Sequence, residues 1–303
     1  MSWTEAAAPG ALEEQGDRPT ARPRRVMGRT GPIRTRRVLT YGLLIVLAVG
    51  ALMPIYWMIT TSFKGQASYM AQPPEMFPAD PTLSNFAQLF ANPNMLRWIG
   101  NSLFVALAVT GLNLVFATVA GYAFAKLPFP GRRWMFWLYL ATMMVPFQVT
   151  MFALFELMVE LGWVNTYLAI IVPAAALPYN VFLMRQFMKS LPNEILDAGR
   201  IDGCSEVSLV RRIVIPMSRN GLAVVGIFTF ITTWNNFLWP LIVLNTEEMR
   251  TLPIALATFQ STYETDYGLL MAGGVIMAVP MFVIFFLFQR YFLEGVTFGA
   301  LKG

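Results

Sequence analysis

The sequence predicts an all-α polytopic membrane protein with six transmembrane helices. Hydrophobic residues make up 56% of the 303 and charged residues only 13%, whereas soluble domains carry roughly 25% charged residues. The charges that remain bracket six long uncharged runs, at 38–63, 98–125, 134–155, 161–184, 220–246 and 267–289. The shortest holds 22 residues and the longest 28; a spanning helix needs about 20.

Taken in order, residues 1–37 are rich in Ala, Gly, Pro and Arg. They show no apolar periodicity and are expected to form a disordered, basic cytoplasmic tail. The run 38–63 is too long for a signal-peptide core and ends at no clear small-residue cleavage site, so it reads as an uncleaved first span. The connection 64–97 carries Pro73, Pro74, Pro78, Pro81 and Pro93, which predicts an extended, ordered cap outside the membrane. The uncharged run from Thr251 to Tyr263 is only 13 residues long and contains Pro253; it reads as extramembrane or re-entrant.

Orientation follows from the basic residues, which concentrate on the cytoplasmic side of spanning proteins. With the N-terminus inside, the tail, the second and fourth connections and the C-terminal end hold 19 Lys and Arg. The outer side holds only Lys64, Arg97 and Arg250. Both termini are therefore expected in the cytoplasm. The net charge of +5 is then a consequence of topology, and no nucleic-acid partner is implied.

Composition also excludes chemistry. There is no histidine and one cysteine, Cys204, so His-based catalysis, His-ligated zinc, a thiolate cluster and an intrachain disulfide are all ruled out. No catalytic or metal site is predicted. No G-x-x-x-x-G-K-[ST] phosphate loop occurs, so if ATP drives the protein, it binds another polypeptide. The 19 methionines read as adaptable packing.

One stretch breaks the apolar pattern. "NEILDAGRIDGCSEVSLVRRIVIP", residues 193–216, carries Glu194, Asp197, Arg200, Asp202, Glu206, Arg211 and Arg212. Each charge at mid-membrane would cost roughly 2.5–3.5 kcal/mol, so the stretch belongs in the fourth, cytoplasmic connection, 187–219. Asn193 is expected to cap a short helix, with Ile195, Ala198 and Gly199 forming a narrow small-residue face. Asp202–Gly203 ends that helix in a turn. Ser205 then caps a second helix, with Val207, Val210 and Val214 on one stripe. A small, closely approachable face suits docking into another protein's groove.

These residues carry a resemblance. "PNEILDAGRIDGCSEVSLVRRIVIP" is similar to the EAA loop of bacterial ABC-importer permeases, with Asp197-Ala198-Gly199 in the place of Glu-Ala-Ala, Asp202-Gly203 at the central turn, and Ile213 to Pro216 at the close. "NSL" at 101–103, "GYAFAK" at 121–126, "TWNNFLWPL" at 233–241 and the C-terminal "GALKG" extend the likeness over 38–303; together they are similar to the carbohydrate-uptake group, close to its maltose-type second permease. Two departures stand out. Asp197 is one methylene shorter than Glu, and Gly199 weakens the helix by about 1 kcal/mol relative to Ala.

The resemblance implies the ABC-importer permease fold over 38–303, in a multi-pass protein of the bacterial inner membrane. It implies a transport subunit rather than an enzyme, with no cofactor of its own. Asp197, Ala198, Gly199, Asp202 and Gly203 would couple it to an ATP-binding-cassette ATPase dimer that holds the ATP and magnesium. Two ATPase subunits need two such loops, so a sibling permease is expected, together with an extracytoplasmic solute-binding protein and the surrounding membrane lipid. The implied cargo is a sugar, an oligosaccharide or a glycerol phosphate.

Within the fifth span, Trp234, Asn235, Asn236 and Trp239 combine amides with aromatic faces, the groups that bind sugar hydroxyls and C–H faces. They are candidate path-lining residues. The alternative is that the asparagines cross-link helices and that Trp239 anchors at the outer interface. Asn113, Gln148 and Asn180 are further candidates of the same kind. The competing function is an ion- or proton-coupled secondary transporter. Such proteins usually carry mid-membrane charges and repeated halves. The six runs are free of charge at their centres, Glu156 and Glu160 lie near the end of the third, and no internal repeat is evident.

Overall fold

The computed structural model describes residues 32–65, 68, 75–259 and 266–300, with the side chains of 32–36 and 291–300 excepted. The expected disorder of 1–31 therefore lies outside the described residues, as do Pro73, Pro74 and residues 260–265. No strand occurs among the described residues.

The chain divides into two compact units, Met1–Leu52 and Met53–Gly303. In the first, the described residues form the N-terminal part of helix α1, Pro32–Ser62. The helix begins inside what the sequence suggested as tail, because Pro32 supplies the pre-set φ of a first helical residue and no breaker intervenes before Pro54. Side chains from Val38 to Leu52 are exposed and mostly large and apolar, as suits a helix surrounded by lipid or protein.

The second unit is organised around α3, Met95–Lys126, which comes after the short helix α2, Ser84–Ala91. Three buried clusters succeed one another along α3: one with Met95, Trp98 and Ala106, one with Val105 and Val109, and one with Ala117 and Tyr122. Helix α3 packs on α7, Pro178–Lys189, where Gly121 lies so close to Met184 that a Cβ would stand 2.8 Å from that residue's Cβ. It also packs on α10, Arg219–Trp234, which in turn contacts α13, Tyr267–Ala300. Helix α12, Leu252–Ala257, is buried almost throughout and rests on α3 and α13.

The connection after α1 is pinned rather than loose where it is described. Asn85 of α2 donates through Nδ2 to the carbonyls of Ser62 (2.9 Å) and Lys64 (2.8 Å). Lys64 itself is buried. Its ammonium donates to the Glu75 carbonyl at 2.5 Å and stands 4.4 Å from the centre of the Trp57 ring, so the carbonyl and the ring replace water around the charge.

Among the described residues, three helical stretches suffice by length and composition to cross a membrane: Arg37–Ser62, Met95–Lys126 and Tyr267–Arg290. The other predicted spans are interrupted. In 134–155, α4 (Arg132–Ala141) and a 3₁₀ turn end at Val145, Pro146 intervenes, and α5 (Phe147–Glu160) departs at 97°. In 161–184 only the one-turn α6 (Leu168–Ile171) precedes α7, whose first residue is Pro178. In 220–246, α10 stops at Trp234 and α11 (Leu238–Val243) starts after a three-residue gap. Counting uncharged residues cannot register these breaks, because proline, glycine and asparagine are as uncharged as leucine. Interrupted backbone is tolerated at membrane depth only where protein supplies the missing hydrogen bonds. In the gap before α7, Asn113 does so: its Nδ2 donates to the Ala174 carbonyl (2.6 Å) and its Oδ1 accepts from the Leu177 amide (3.0 Å).

Candidate functional site

The charged loop forms two helices joined by a tight turn. Helix α8, Asn193–Ile201, is followed by Asp202 and by Gly203 at φ +82°, a left-handed position that glycine adopts without steric cost. Helix α9, Glu206–Met217, opens with Ser205, whose Oγ accepts from the Ser208 amide at 3.3 Å, as expected of a cap. Asn193 does not cap α8. It is the first helical residue after Pro192, and its Oδ1 accepts from Lys126 at 2.7 Å instead.

The exposed face of α8 differs from the one that small residues suggest. Leu196 and Gly199 are buried, whereas Ile195, Asp197, Ala198 and Ile201 are exposed. Gly199 turns inward: a Cβ there would meet Leu209 Cδ2 at 2.5 Å and Ile213 Cδ1 at 3.2 Å. Its missing side chain lets α8 and α9 touch, and burying Leu196 and Leu209 in the process stabilises the loop by about 1.5–3 kcal/mol each. The expected Val207–Val210–Val214 stripe is also divided. Val214 is buried and Val207 is 78% exposed, because residues 210–214 form a π-helical turn that shifts the helical register between them.

A polar relay ties this loop together. Arg200 Nη1 donates to Asp197 Oδ1 at 2.8 Å and its Nε to Glu206 Oε1 at 2.9 Å. The other Glu206 oxygen accepts from the Tyr122 hydroxyl at 2.5 Å. The Arg200 hydrogen bond, and then that of Tyr122, hold the Glu206 carboxyl below the usual carboxylate range; the hydrogen bond to Glu206, and then that to Asp197, raise the Arg200 guanidinium above its ordinary value. Tyr122, Lys126, Arg200 and Glu206 were not singled out from the sequence, although the first two stand four residues apart in "GYAFAK", the spacing of one helix face.

The polar residues of the interrupted spans separate into two groups. Asn113 and Asn180 are buried and bonded to each other, and Asn180 Nδ2 also donates to Thr229 at 2.9 Å; they cross-link α3, α7 and α10. Trp234 is buried, with Nε1 donating to the Met277 carbonyl at 3.0 Å, and Trp239 donates to the Ala169 carbonyl at 2.8 Å. The two indoles fill different apolar clusters, so neither ring offers a face to a solute. Asn235, by contrast, is exposed, its Nδ2 turned back to the Ile231 carbonyl at 2.8 Å, while Asn236 is half-buried and Gln148 exposed. Helix α10 ends before Asn235 and α11 begins at Leu238, so Asn235 and Trp239, four residues apart, do not share a helical face.

Against known proteins, the chain is 40% identical over 278 residues to the arabinooligosaccharides transport system permease protein AraQ of Halalkalibacterium halodurans, covering 91% of this chain and 99% of that protein. It is 31% identical to the trehalose/maltose transport system permease protein MalG of Thermococcus litoralis, over 88% of this chain and 98% of that one. In fold it is similar to a chain of a bacterial ABC transporter involved in the import of the acidic polysaccharide alginate, with a TM-score of 0.78 at 22% identity over 86% of this chain and 97% of that chain. Residues 113–297 match the family described as the binding-protein-dependent transport system inner membrane component, and with these relatives covering most of its length the chain belongs to that family: it is a transport subunit of the membrane and not an enzyme.

Proposed function

We propose that this chain is the permease subunit of an ATP-driven importer for a carbohydrate, coupled through the loop 187–219 to a separate ATPase. The observation that carries the coupling reading is the exposed face of α8 and α9. Ile201 and Val207 are 86% and 78% exposed on a segment too charged to enter lipid, and apolar side chains left bare there suit a protein partner. Asp197, Ala198, Asp202 and Gly203 border the same face; Gly199 supports it from behind. The carbohydrate is supported by the relatives, whose names specify arabinooligosaccharides and trehalose/maltose. A six-pass topology with both ends cytoplasmic, a sibling permease, an ATPase dimer and an extracytoplasmic binding protein complete the reading. Asn235, exposed, and Asn236, half-buried, are the amides we assign to the sugar path in the fifth predicted span. An ion-coupled transporter is not favoured by these relationships.

The test is assembly and uptake with the partner subunits in proteoliposomes. Ala198→Trp adds bulk to an exposed position, so the protein should insert normally but lose association with the ATPase and ATP-driven uptake of labelled oligosaccharide. Full association and uptake in that variant would remove the coupling reading. Uptake of glycerol phosphate in preference to every oligosaccharide tried would remove the carbohydrate reading.

A further inference from the structure

Away from its exposed face, the loop packs Leu196 and Val214 into an apolar cluster shared by α3, α7 and α10, while its side-chain hydrogen bonds to the rest of the described residues run to α3, at two points. Lys126 donates to the Leu191 carbonyl at 2.6 Å and to Asn193 Oδ1 at 2.7 Å, holding the start of α8. Tyr122, one turn earlier on α3, holds Glu206 at the start of α9. The contact of Gly199 with Leu209 and the bridge from Arg200 to Glu206 join α8 to α9, so both attachments grip one body.

The opposite end of α3 is tied just as closely to a second loop. Trp98 Nε1 donates to the Glu247 carbonyl at 2.8 Å. Asn101 Nδ2 donates to the carbonyls of Glu248 (2.9 Å) and Arg250 (2.8 Å), and Ser102 Oγ accepts from the Leu252 amide at 2.7 Å. Between the two ends run 32 helical residues without a proline, about 48 Å at the helical rise. The chain turns by 97° between α4 and α5 and by 80° where α9 of the loop meets α10; α3 has no such break.

We propose that α3 is the strut that links the coupling loop to the segment 247–252 on the other side of the membrane, with Tyr122 and Lys126 as positioning residues at one end and Asn101 and Ser102 at the other. The proposal rests on the coupling reading above. Energetic linkage between binding sites is reciprocal, so a strut of this kind lets whatever docks against 247–252, which the proposed topology puts on the binding-protein side, bias how the loop holds the ATPase, and hydrolysis is the readout of that bias.

The experiment uses the full complex in proteoliposomes, with solute-loaded binding protein added outside. Tyr122→Phe keeps the buried ring and removes only the hydroxyl; Asn101→Leu removes the ties at the far end. Each is expected to assemble with the ATPase and hydrolyse ATP at the unstimulated rate, yet to lose stimulation by the binding protein several-fold and to move fewer solute molecules per ATP. The double variant should be no worse than either single one, because both cut the same link. Should Tyr122→Phe fail to assemble, Glu206→Ala cuts the same attachment at an exposed residue. Full stimulation and an unchanged solute-to-ATP ratio in these variants would overturn the strut while leaving the coupling loop standing. Normal ATPase association of Ala198→Trp overturns the coupling reading itself.

Discussion

The side-chain amide of Asn180 donates to Oδ1 of Asn113 at 2.9 Å across 67 residues of sequence, with both residues buried. That oxygen also accepts the Leu177 amide, and Asn113 Nδ2 reaches two carbonyls, so one asparagine closes the hydrogen bonding of an interrupted span. Asn113→Leu leaves the Leu177 N–H and the Asn180 amide short of a partner. A loss of about 1–3 kcal/mol of stability is expected, seen as earlier thermal inactivation in detergent and lower yield. Uptake per assembled complex should stay close to normal. Reduced uptake per complex with unchanged thermal stability would instead give Asn113 a role in the path.

Gly199 is a packing position in this structure, and its variants should grade by size. Gly199→Ala is expected to be mild, because the atom it meets is the mobile end of Leu209. Gly199→Trp should force α8 away from α9 and expose the loop to protease before any partner is added. If Gly199→Trp leaves the isolated loop protected and weakens only ATPase binding, the residue faces outward after all.

Asn235→Ala should lower oligosaccharide uptake several-fold when normalised to assembled complex, since its amide is exposed and bonded mainly to its own helix. Trp234→Phe should act differently, costing about 1 kcal/mol of stability for the lost hydrogen bond to Met277 without changing the apparent affinity of uptake for its sugar. The comparison fails if the two variants show the same phenotype.

In a Cys204→Ser background, Ser205→Cys is expected to react with a membrane-impermeant thiol reagent only from the cytoplasmic side, and Ser68→Cys only from outside. Labelling of Ser205→Cys in intact cells would invert the proposed topology.

The loop should be indifferent to pH over the physiological range. Glu206 is held below its ordinary value by Arg200 and Tyr122. Its stabilising contacts are therefore complete above the usual carboxylate pKa, about 4.3, and are lost only as pH falls through the lower folded value. With no histidine in the chain, protease sensitivity of the loop should stay flat from about pH 6 to 8 and rise only in strong acid. Glu206→Gln should abolish the acid-dependent component. A transition near neutral pH would show that some other group controls the loop.

Membrane class, the charged loop, the Asp202–Gly203 turn and the Ser205 cap were all legible in the sequence, because each depends on local properties: apolar content, charge density, the left-handed conformation at glycine and one short side-chain hydrogen bond. The resemblance of "DAGRIDG" to the EAA pattern was legible for the same reason. What a run of uncharged residues does not encode is whether its helix continues. Asn235 and Pro146 interrupt stretches that composition reads as spans, and whether the freed backbone groups are satisfied depends on residues such as Asn113, distant in sequence.

Direction of facing was likewise beyond the sequence. Trp234 and Asn235 are adjacent, yet one is buried against Met277 and the other exposed. Gly199 sits beside Ala198, yet one packs on Leu209 and the other looks outward. The sequence by itself determined that this is a membrane protein of helices with a helical loop too charged for lipid, since transfer energies add residue by residue. Only the tertiary structure decided where the spans break, which loop residues face out, and that Tyr122 holds Glu206, because those depend on packing between segments far apart in the chain.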